Sequence, residues 1–482
     1  MFLAAAQPAA IVTPAPSGAA WTPSAIATLR HDLDALLANA PGLRRAHVGV
    51  LALDATTGAT LYARAANEEF QPASTLKLLV GSSALDRLGP DYRFVTSAIL
   101  RTGPEGDYAQ ALLIAGGDPF LDVPALDDAV SALRSTGVIP RLGWQIDASR
   151  FDAAQYPDGW TWDDFGEDYA PPLSAMTFEE NVVHLTVTPG ANVGDPPSVS
   201  AAPLPYVAPI ERTCDSYSPV VVDATTGPPG SESTLDVSRA PHACTRIVGS
   251  IARGAPAESI DAAVVSPVDY VRAYLGAASE RAGLGQEHGG PAGPPAAQPS
   301  KTFWTHASAP MRHWLGPRFW IPSDNLVAEL LLKELGFVAG GKPGTTEKGT
   351  AFEKSWLTSI GVDPATVTLA DGSGLSQYDR ITPRDLTAIL AHDWAGPNRD
   401  LILASLPVGG ARGTIEGIAG TDAAGRVFAK TGSMSHVRGL AGYLAPLHHG
   451  AVIFAFNVDD WIGDYKALAA ARAAALSRLI DD

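Results

Sequence analysis

The chain has 482 residues, of which 46% are hydrophobic and 18% charged, and a formal net charge of −17. That length fills more than one core and suggests two to four domains. The acidic balance argues against general binding to nucleic acid or anionic membranes, and no apolar run reaches the roughly 18 residues of a membrane span.

The chain opens with MFLAAAQPAAIVTPAPSGAA. Its short apolar run and small residues resemble the end of a signal peptide, but the first basic residue is Arg30, so the basic n-region is missing. Residues 1–20 are expected to be a disordered lead or the remnant of such a peptide. A helix follows: Pro23 suits its first turn, and Ile26, Leu29, Leu33, Leu36 and Leu37 form one apolar face. Ala46–Asp54 alternates like a strand, and Thr60–Arg64 returns after a TTG turn. A second helix is expected from near Ser74 to just before Gly89-Pro90.

Residues from about 95 to 300 read differently, as many short strand-like runs separated by turns rich in Gly and Pro. Gly285–Ser300 has the composition of a linker or exposed loop. Cys214 and Cys244 are the only cysteines. In an exported protein they would pair as a disulfide; two unrelated buried thiols are the alternative. Beyond this stretch, Asn325–Leu335 is helical in pattern. Arg426–Thr431, Val437–Ala445 and Ala451–Val458 read as strands, and a last helix spans about Tyr465 to Ile480. The terminal segments together could form one sheet covered by helices, which makes the middle an insertion into a split domain.

Only 8 of the 34 basic residues are lysine, and Lys77 is the sole lysine before Lys301. It lies three residues after Ser74 at a helix start, where both side chains share a face and a developing alkoxide is favoured. An arginine there stays protonated, whereas a buried lysine can act as a base. Chance supplies roughly 0.5 such Ser-x-x-Lys pairs in a chain of this composition, so the pair alone is weak. It is followed by Ser323-Asp324-Asn325 before a helix and by Lys430-Thr431-Gly432 on a strand. Ser-x-x-Lys, Ser-Asp-Asn and Lys-Thr-Gly in this order are the signature of penicillin-recognising serine enzymes.

With these motifs the sequence resembles the class C low-molecular-mass penicillin-binding proteins (peptidase family S13), D-alanyl-D-alanine carboxypeptidases and endopeptidases. Leu112–Leu121, Trp160–Val183, Leu369–Leu386 and the strand pair around Lys430 extend the likeness over most of the chain from about residue 25. The resemblance implies an α+β fold. Residues 21–94 with 304–482 would form a serine β-lactamase/DD-peptidase-like domain, an antiparallel sheet flanked by helices plus a helical subdomain. Residues 95–303 would be a long, mostly β inserted region.

It also implies roles. Ser74 attacks the carbonyl of the penultimate D-alanine and Lys77 takes its proton. Ser323 relays a proton to the leaving amine, and Asn325 holds the lysine and the substrate amide. Lys430, Thr431 and Ser433 bind the terminal carboxylate, Gly432 keeps the strand open, and the backbone N–H groups of Ser74 and Ser433 form the oxyanion hole. Asp164, with Asp163 as competitor, would receive the peptide's amino side chain. Gln377 stands where relatives commonly carry an arginine. No cofactor or metal is implied. The partners would be peptidoglycan stem peptides, with β-lactam antibiotics as acylating inhibitors. The location would be periplasmic or otherwise extracytoplasmic.

Other features read as ordinary structure. Gly116-Gly117-Asp118-Pro119 is a turn, since no Gly-Lys-[Ser/Thr] follows. His448-His449 is a solvated hairpin loop without a third metal ligand. Asp163-Asp164 and Glu179-Glu180 are solvated or capping carboxylates, apart from the family hint at Asp164. Asp324 is a helix N-terminal charge. Two other functions compete with the peptidase: a β-lactamase or esterase on the same fold, and a non-catalytic cell-wall peptide binder. The first lacks a segment like Glu-x-x-Leu-Asn; against the second, Ser74, Lys77, Ser323, Asn325 and Lys430 are all present.

Overall fold

The computed structural model describes residues 10–102, 109–140, 143–203, 220–239, 244–284, 300–415, 418 and 421–481. They fall into two compact units. The first comprises residues 1–92, 310–339 and 346–482, and the second residues 93–309 and 340–345.

The first unit is built on a five-stranded antiparallel sheet. Its strands are β1 (His47–Asp54), β2 (Thr60–Arg64), β3 (Val427–Met434), β4 (Val437–Leu444) and β5 (Val452–Asp459), in the order β3-β4-β5-β1-β2. The chain ends thus meet at the centre, where His47 pairs with Asp459 and Asp54 with Val452. Helix α1 (Pro23–Asn39) starts where the Thr22 side chain accepts from Ala25 N–H, a cap typically worth about 1 kcal/mol. Its Leu29, Leu33 and Leu37 pack with Leu468, Leu476 and Leu479 of the C-terminal helix Tyr465–Asp481 and with Val50, Leu440 and Phe456 of the sheet.

Helices α2 (Lys77–Leu88), α3 (Asn325–Gly340), α4 (Thr346–Ser359) and α5 (Pro383–Ala395) are the longer of the other helices here, the last packing on β1, β4 and β5. Helix α2 buries nine consecutive residues from Lys77 to Leu85, so it is a core helix rather than an amphipathic one. No helix among the described residues is long and apolar enough to cross a membrane.

Part of the expected disordered lead, residues 1–9, lies outside the described residues. Residues 10–19 are tied down: Val12 N–H donates to Gly425 O, Thr56 Oγ1 to Pro16 O and Ala19 N–H to His448 O. His449 stacks on Trp21 at 3.9 Å, so the His448-His449 turn is an anchor for this segment.

In the second unit a four-stranded sheet runs Ser300–Ala307, Val95–Thr102, Ala109–Ile114, Trp144–Asp147. Two three-stranded sheets and a two-stranded one accompany it. The unit also holds two long helices, Val123–Ser135 and Pro267–Arg281, that a mostly β reading did not separate. Both carry local start signals: Asp122 caps Ala125 N–H, Ser266 caps Asp269 N–H, and proline occupies the first turn of each. Glu179 accepts from Val123 N–H at 2.8 Å, a capping role. Cys244 is buried and disulfide-bonded, while Cys214 lies outside the described residues, as does 285–299 of the expected linker.

Candidate active site

Ser74 does not sit on the α-helix itself. It lies in a 3-10 turn, Ala73–Leu76, and α2 begins at Lys77. Ala73 is held at φ 44°, a left-handed conformation that costs a non-glycine residue about 1–3 kcal/mol. The turn rests on the sheet at two facing glycines, Gly432 of β3 and Gly439 of β4. A Cβ on Gly432 would lie 2.6 Å from Pro72 O, and one on Gly439 2.9 Å from Thr75 Cγ2. Gly432 therefore makes room for the turn that carries Ser74.

Lys77 is fully buried. Its Nζ donates to Ser74 Oγ at 2.7 Å, Asn325 Oδ1 at 2.6 Å and the Ser373 carbonyl at 2.7 Å. Burial brings its pKa down to about 8, against the opposing pull of Asp371, Glu329 and Asp324. Trp320 Nε1 donates to the Lys77 carbonyl at 2.9 Å, tying α2 to the π-helical turn Leu315–Trp320. That turn leads into Ser323, which at φ 67° is, like Ala73, held in the left-handed region. Asp324 Oδ1 accepts from Val327 N–H at 2.8 Å, as a helix N-terminal charge should.

Lys430 is also fully buried. Its Nζ donates to Ser323 Oγ at 2.8 Å and to Thr431 O at 2.9 Å. Burial first, and repulsion from Lys77 second, hold its pKa well below the usual lysine value. The Thr431 hydroxyl meets that of Thr414 at 2.5 Å, and Ser433 is exposed. Ser74, Lys77 and Asn325 thus form one set of hydrogen bonds and Ser323 and Lys430 a second, with Thr431, Gly432 and Ser433 following along β3.

Two of the sequence-derived candidates have other hydrogen-bond partners. Asp164 belongs to the second unit, where it closes a capping box with Thr161 and accepts from Tyr169 Oη at 2.8 Å. Gln377 contributes its backbone: its carbonyl accepts from Gln71 Nε2 at 3.1 Å and Arg380 Nη1 at 2.9 Å. Sequence reasoning missed the Ser373 carbonyl and Thr414. A backbone acceptor has no residue-type signature, and Thr414 lies outside the three motifs.

The sequence profile of the D-Ala-D-Ala carboxypeptidase 3 (S13) family matches residues 29–479. A D-alanyl-D-alanine carboxypeptidase of Actinomadura sp. (strain R39) is 32% identical over 445 residues, covering 86% of this chain and 78% of that protein. D-alanyl-D-alanine carboxypeptidase DacB of Haemophilus influenzae is 25% identical over 403 residues, 82% of each. The crystal structure of penicillin binding protein 4 from H. influenzae superposes with a TM-score of 0.79 at 23% identity, covering 94% of this chain and 99% of that one. The fold is the α+β serine β-lactamase/DD-peptidase type, and the chain belongs to the D-Ala-D-Ala carboxypeptidase 3 (S13) family.

Proposed function

We propose that Ser74 is the nucleophile and Lys77 the base of this chain's serine D-Ala-D-Ala peptidase reaction. The observation that carries this reading is the arrangement around Lys77 Nζ. A neutral amine has two hydrogens and one lone pair, and the Asn325 Oδ1 and Ser373 O acceptors can take only hydrogens. The lone pair is then left for the third direction, toward Ser74 Oγ. A pKa of about 8 keeps a useful amine fraction near neutral pH.

As Ser74 Oγ bonds to the carbonyl carbon of the penultimate D-alanine, its proton passes to Lys77 Nζ. The backbone N–H groups of Ser74 and Ser433 receive the oxyanion. Ser323, itself accepting from Lys430, relays the proton taken up by Lys77 to the departing amine of the terminal D-alanine, which leaves Lys77 neutral and Ser323 protonated again. Water then hydrolyses the ester. Lys430 with the Thr431 and Ser433 hydroxyls receives the terminal carboxylate, and that anion restores the ammonium form which burial disfavours. The same acylation with a cross-link amide as leaving group gives endopeptidase activity.

A β-lactam would acylate Ser74 in the same way. An H. influenzae penicillin binding protein 4 of this fold, 21% identical, is known complexed with a β-lactam. The peptidoglycan substrate places the enzyme outside the cytoplasmic membrane.

The test is an intact-mass time course of the protein with benzylpenicillin, beside Ser74→Ala, together with D-alanine release from a stem peptide ending in D-Ala-D-Ala. The expected result is a long-lived adduct of one penicillin and D-alanine release, both absent in the variant. A transient adduct with bulk penicillin turnover indicates a β-lactamase instead. No adduct and no D-alanine release from folded protein removes the roles given to Ser74 and Lys77.

A further inference from the structure

Lys77 has two fixed acceptors, and only one of them is a side chain. The other, the Ser373 carbonyl, sits in the loop Asp371–Ser376. Glu329 Oε1 accepts from both backbone N–H groups at the head of this loop, Gly372 at 3.0 Å and Ser373 at 2.8 Å. Asp371 ties the rest, accepting from Gly374 N–H and Ser376 N–H, each at 2.7 Å, and from Ser373 Oγ at 3.0 Å. Gly374, at φ +78°, lies so close to Ala73 O that no Cβ fits between them. The loop is therefore wedged beside the turn that carries Ser74.

Glu329 follows Asn325 by four residues on α3, so both project from one face of the helix. One helix face thus supplies both acceptors of Lys77: Asn325 directly, and Ser373 O through the two N–H groups held by Glu329. Glu329 is fully buried, yet it has no cation on its Oε1 and no hydrogen-bond partner for Oε2. A carboxyl in such a place needs a reason beyond stability.

We propose that Glu329 is a positioning residue that aims the Lys77 lone pair at Ser74 by clamping the Ser373 carbonyl. This rests on the reading of Lys77 as the base. The two events meet at one residue: Glu329 accepts from the N–H of Ser373, in the peptide plane before its Cα, and Lys77 donates to its carbonyl, in the plane after it, whose N–H, that of Gly374, is held by Asp371. Once the clamp is released the head of the loop loses the anchor of its Gly372 and Ser373 N–H groups, and the Ser373 carbonyl, held only from the Asp371 side, shifts off its line to Lys77. Burial and the nearby Asp371 push the Glu329 pKa up to about 8. The clamp survives protonation, because the carbonyl-type oxygen of a neutral carboxyl still accepts two N–H bonds. Length therefore matters more than charge.

The test compares Glu329→Gln, Glu329→Asp and Glu329→Ala with wild type, measuring for benzylpenicillin both the non-covalent dissociation constant and the acylation rate constant. Gln keeps the reach and loses the charge; Asp keeps the charge and loses a methylene. The Asp and Ala variants should acylate about 100-fold more slowly with unchanged non-covalent binding, as a displacement of about 1 Å does to a catalytic group. The Gln variant should stay within about 5-fold of wild type, since its side-chain carbonyl still accepts both N–H bonds. Should Ala fail to fold, the Asp and Gln pair decides. Equal rates in all variants, or Gln as slow as Asp, would overturn the proposal. Wild type unmodified at Ser74 would remove the reading of Lys77 first; wild type acylated with unaffected variants would remove Glu329 alone.

Discussion

The two units treat charge in opposite ways. Among the described residues the second unit fully buries only two charged side chains, Asp118 and Arg239. The first buries Lys77, Lys333, Lys430, Glu329, Glu334, Glu353, Asp371, Asp379 and Asp393, among others. Both units come from one acidic chain, so composition does not explain the contrast. Arg239 is held by inert groups, the carbonyls of Val264 and Ala263 and the hydroxyl of Tyr156. Lys77 and Lys430 instead bond to two serine hydroxyls. Burying a charge is expensive wherever it is done. In the first unit the cost shifts the pKa of groups that touch serine hydroxyls; in the second the buried arginine ties Tyr156 to the end of the strand Glu258–Ala263.

The largest expected effect breaks this contrast at its centre. Lys77→Arg keeps a cation within reach of Ser74 but removes the lone pair, since guanidinium does not deprotonate. Acylation by benzylpenicillin should fall about 1000-fold, the middle of the range for a lost general base. In wild type the acylation rate should climb with pH and level off near 8, because Lys77 becomes an amine through that range. In the arginine variant the residual rate should not follow that limb. Acylation rates measured across pH 5–10, set against this, check both statements. A wild-type profile flat through pH 8 would move the base elsewhere.

Why did the sequence announce the site and not its support? Ser74, Lys77, Ser323, Asn325 and Lys430 are single residue types at fixed spacings, and chemistry demands each of them, so a linear pattern carries them. The strands also read well. β1 and β2 alternate, and β3 to β5 are bounded by Gly and polar turns, so their limits fell within a few residues of those observed. The Ser373 carbonyl was invisible because any residue offers a carbonyl. Glu329 was invisible because a glutamate one turn into a helix reads as a surface residue until a loop from elsewhere in the chain closes over it. The helices Val123–Ser135 and Pro267–Arg281 were hidden by their surroundings, short strands and Gly/Pro turns, although their caps were present. Start signals of this kind deserve more weight than the average character of a region.

A smaller effect tests the quiet side of the comparison. Arg239→Met in the second unit takes the guanidinium donor from the Val264 carbonyl, leaves Ala263 O with Thr245 Oγ1, and removes the cation over the Tyr156 ring. Losing a charged donor to a buried acceptor costs about 2 kcal/mol. The variant should unfold at lower denaturant, while the acylation rate constant per folded molecule stays at the wild-type value. A loss of acylation with unchanged stability would mean that this buried charge, too, serves the chemistry.

The smallest effect separates catalytic from idle burial within the first unit. Asp393 accepts from Ser82 Oγ at 2.6 Å, and burial lifts its pKa to about 8, with Asp86 adding to the rise and Ser82 opposing it. An aspartate whose folded pKa lies above its unfolded value holds its proton more tightly when folded. Its contribution is full below about pH 4 and is lost as pH rises toward 8. Asp393→Asn keeps an acceptor for Ser82 and has nothing to ionise. The variant should therefore gain on wild type by about 2 kcal/mol between pH 6 and pH 9, with other titrations cancelling in the difference. Denaturant midpoints of both proteins across that range give the answer. Asp393 lies outside the bonds that join the two lysines to Ser74 and Ser323, so acylation should be untouched at every pH. If acylation moved together with stability, burial of charge in this unit would be a single connected system, and Lys77 would owe its low pKa to far more of the core than its immediate neighbours.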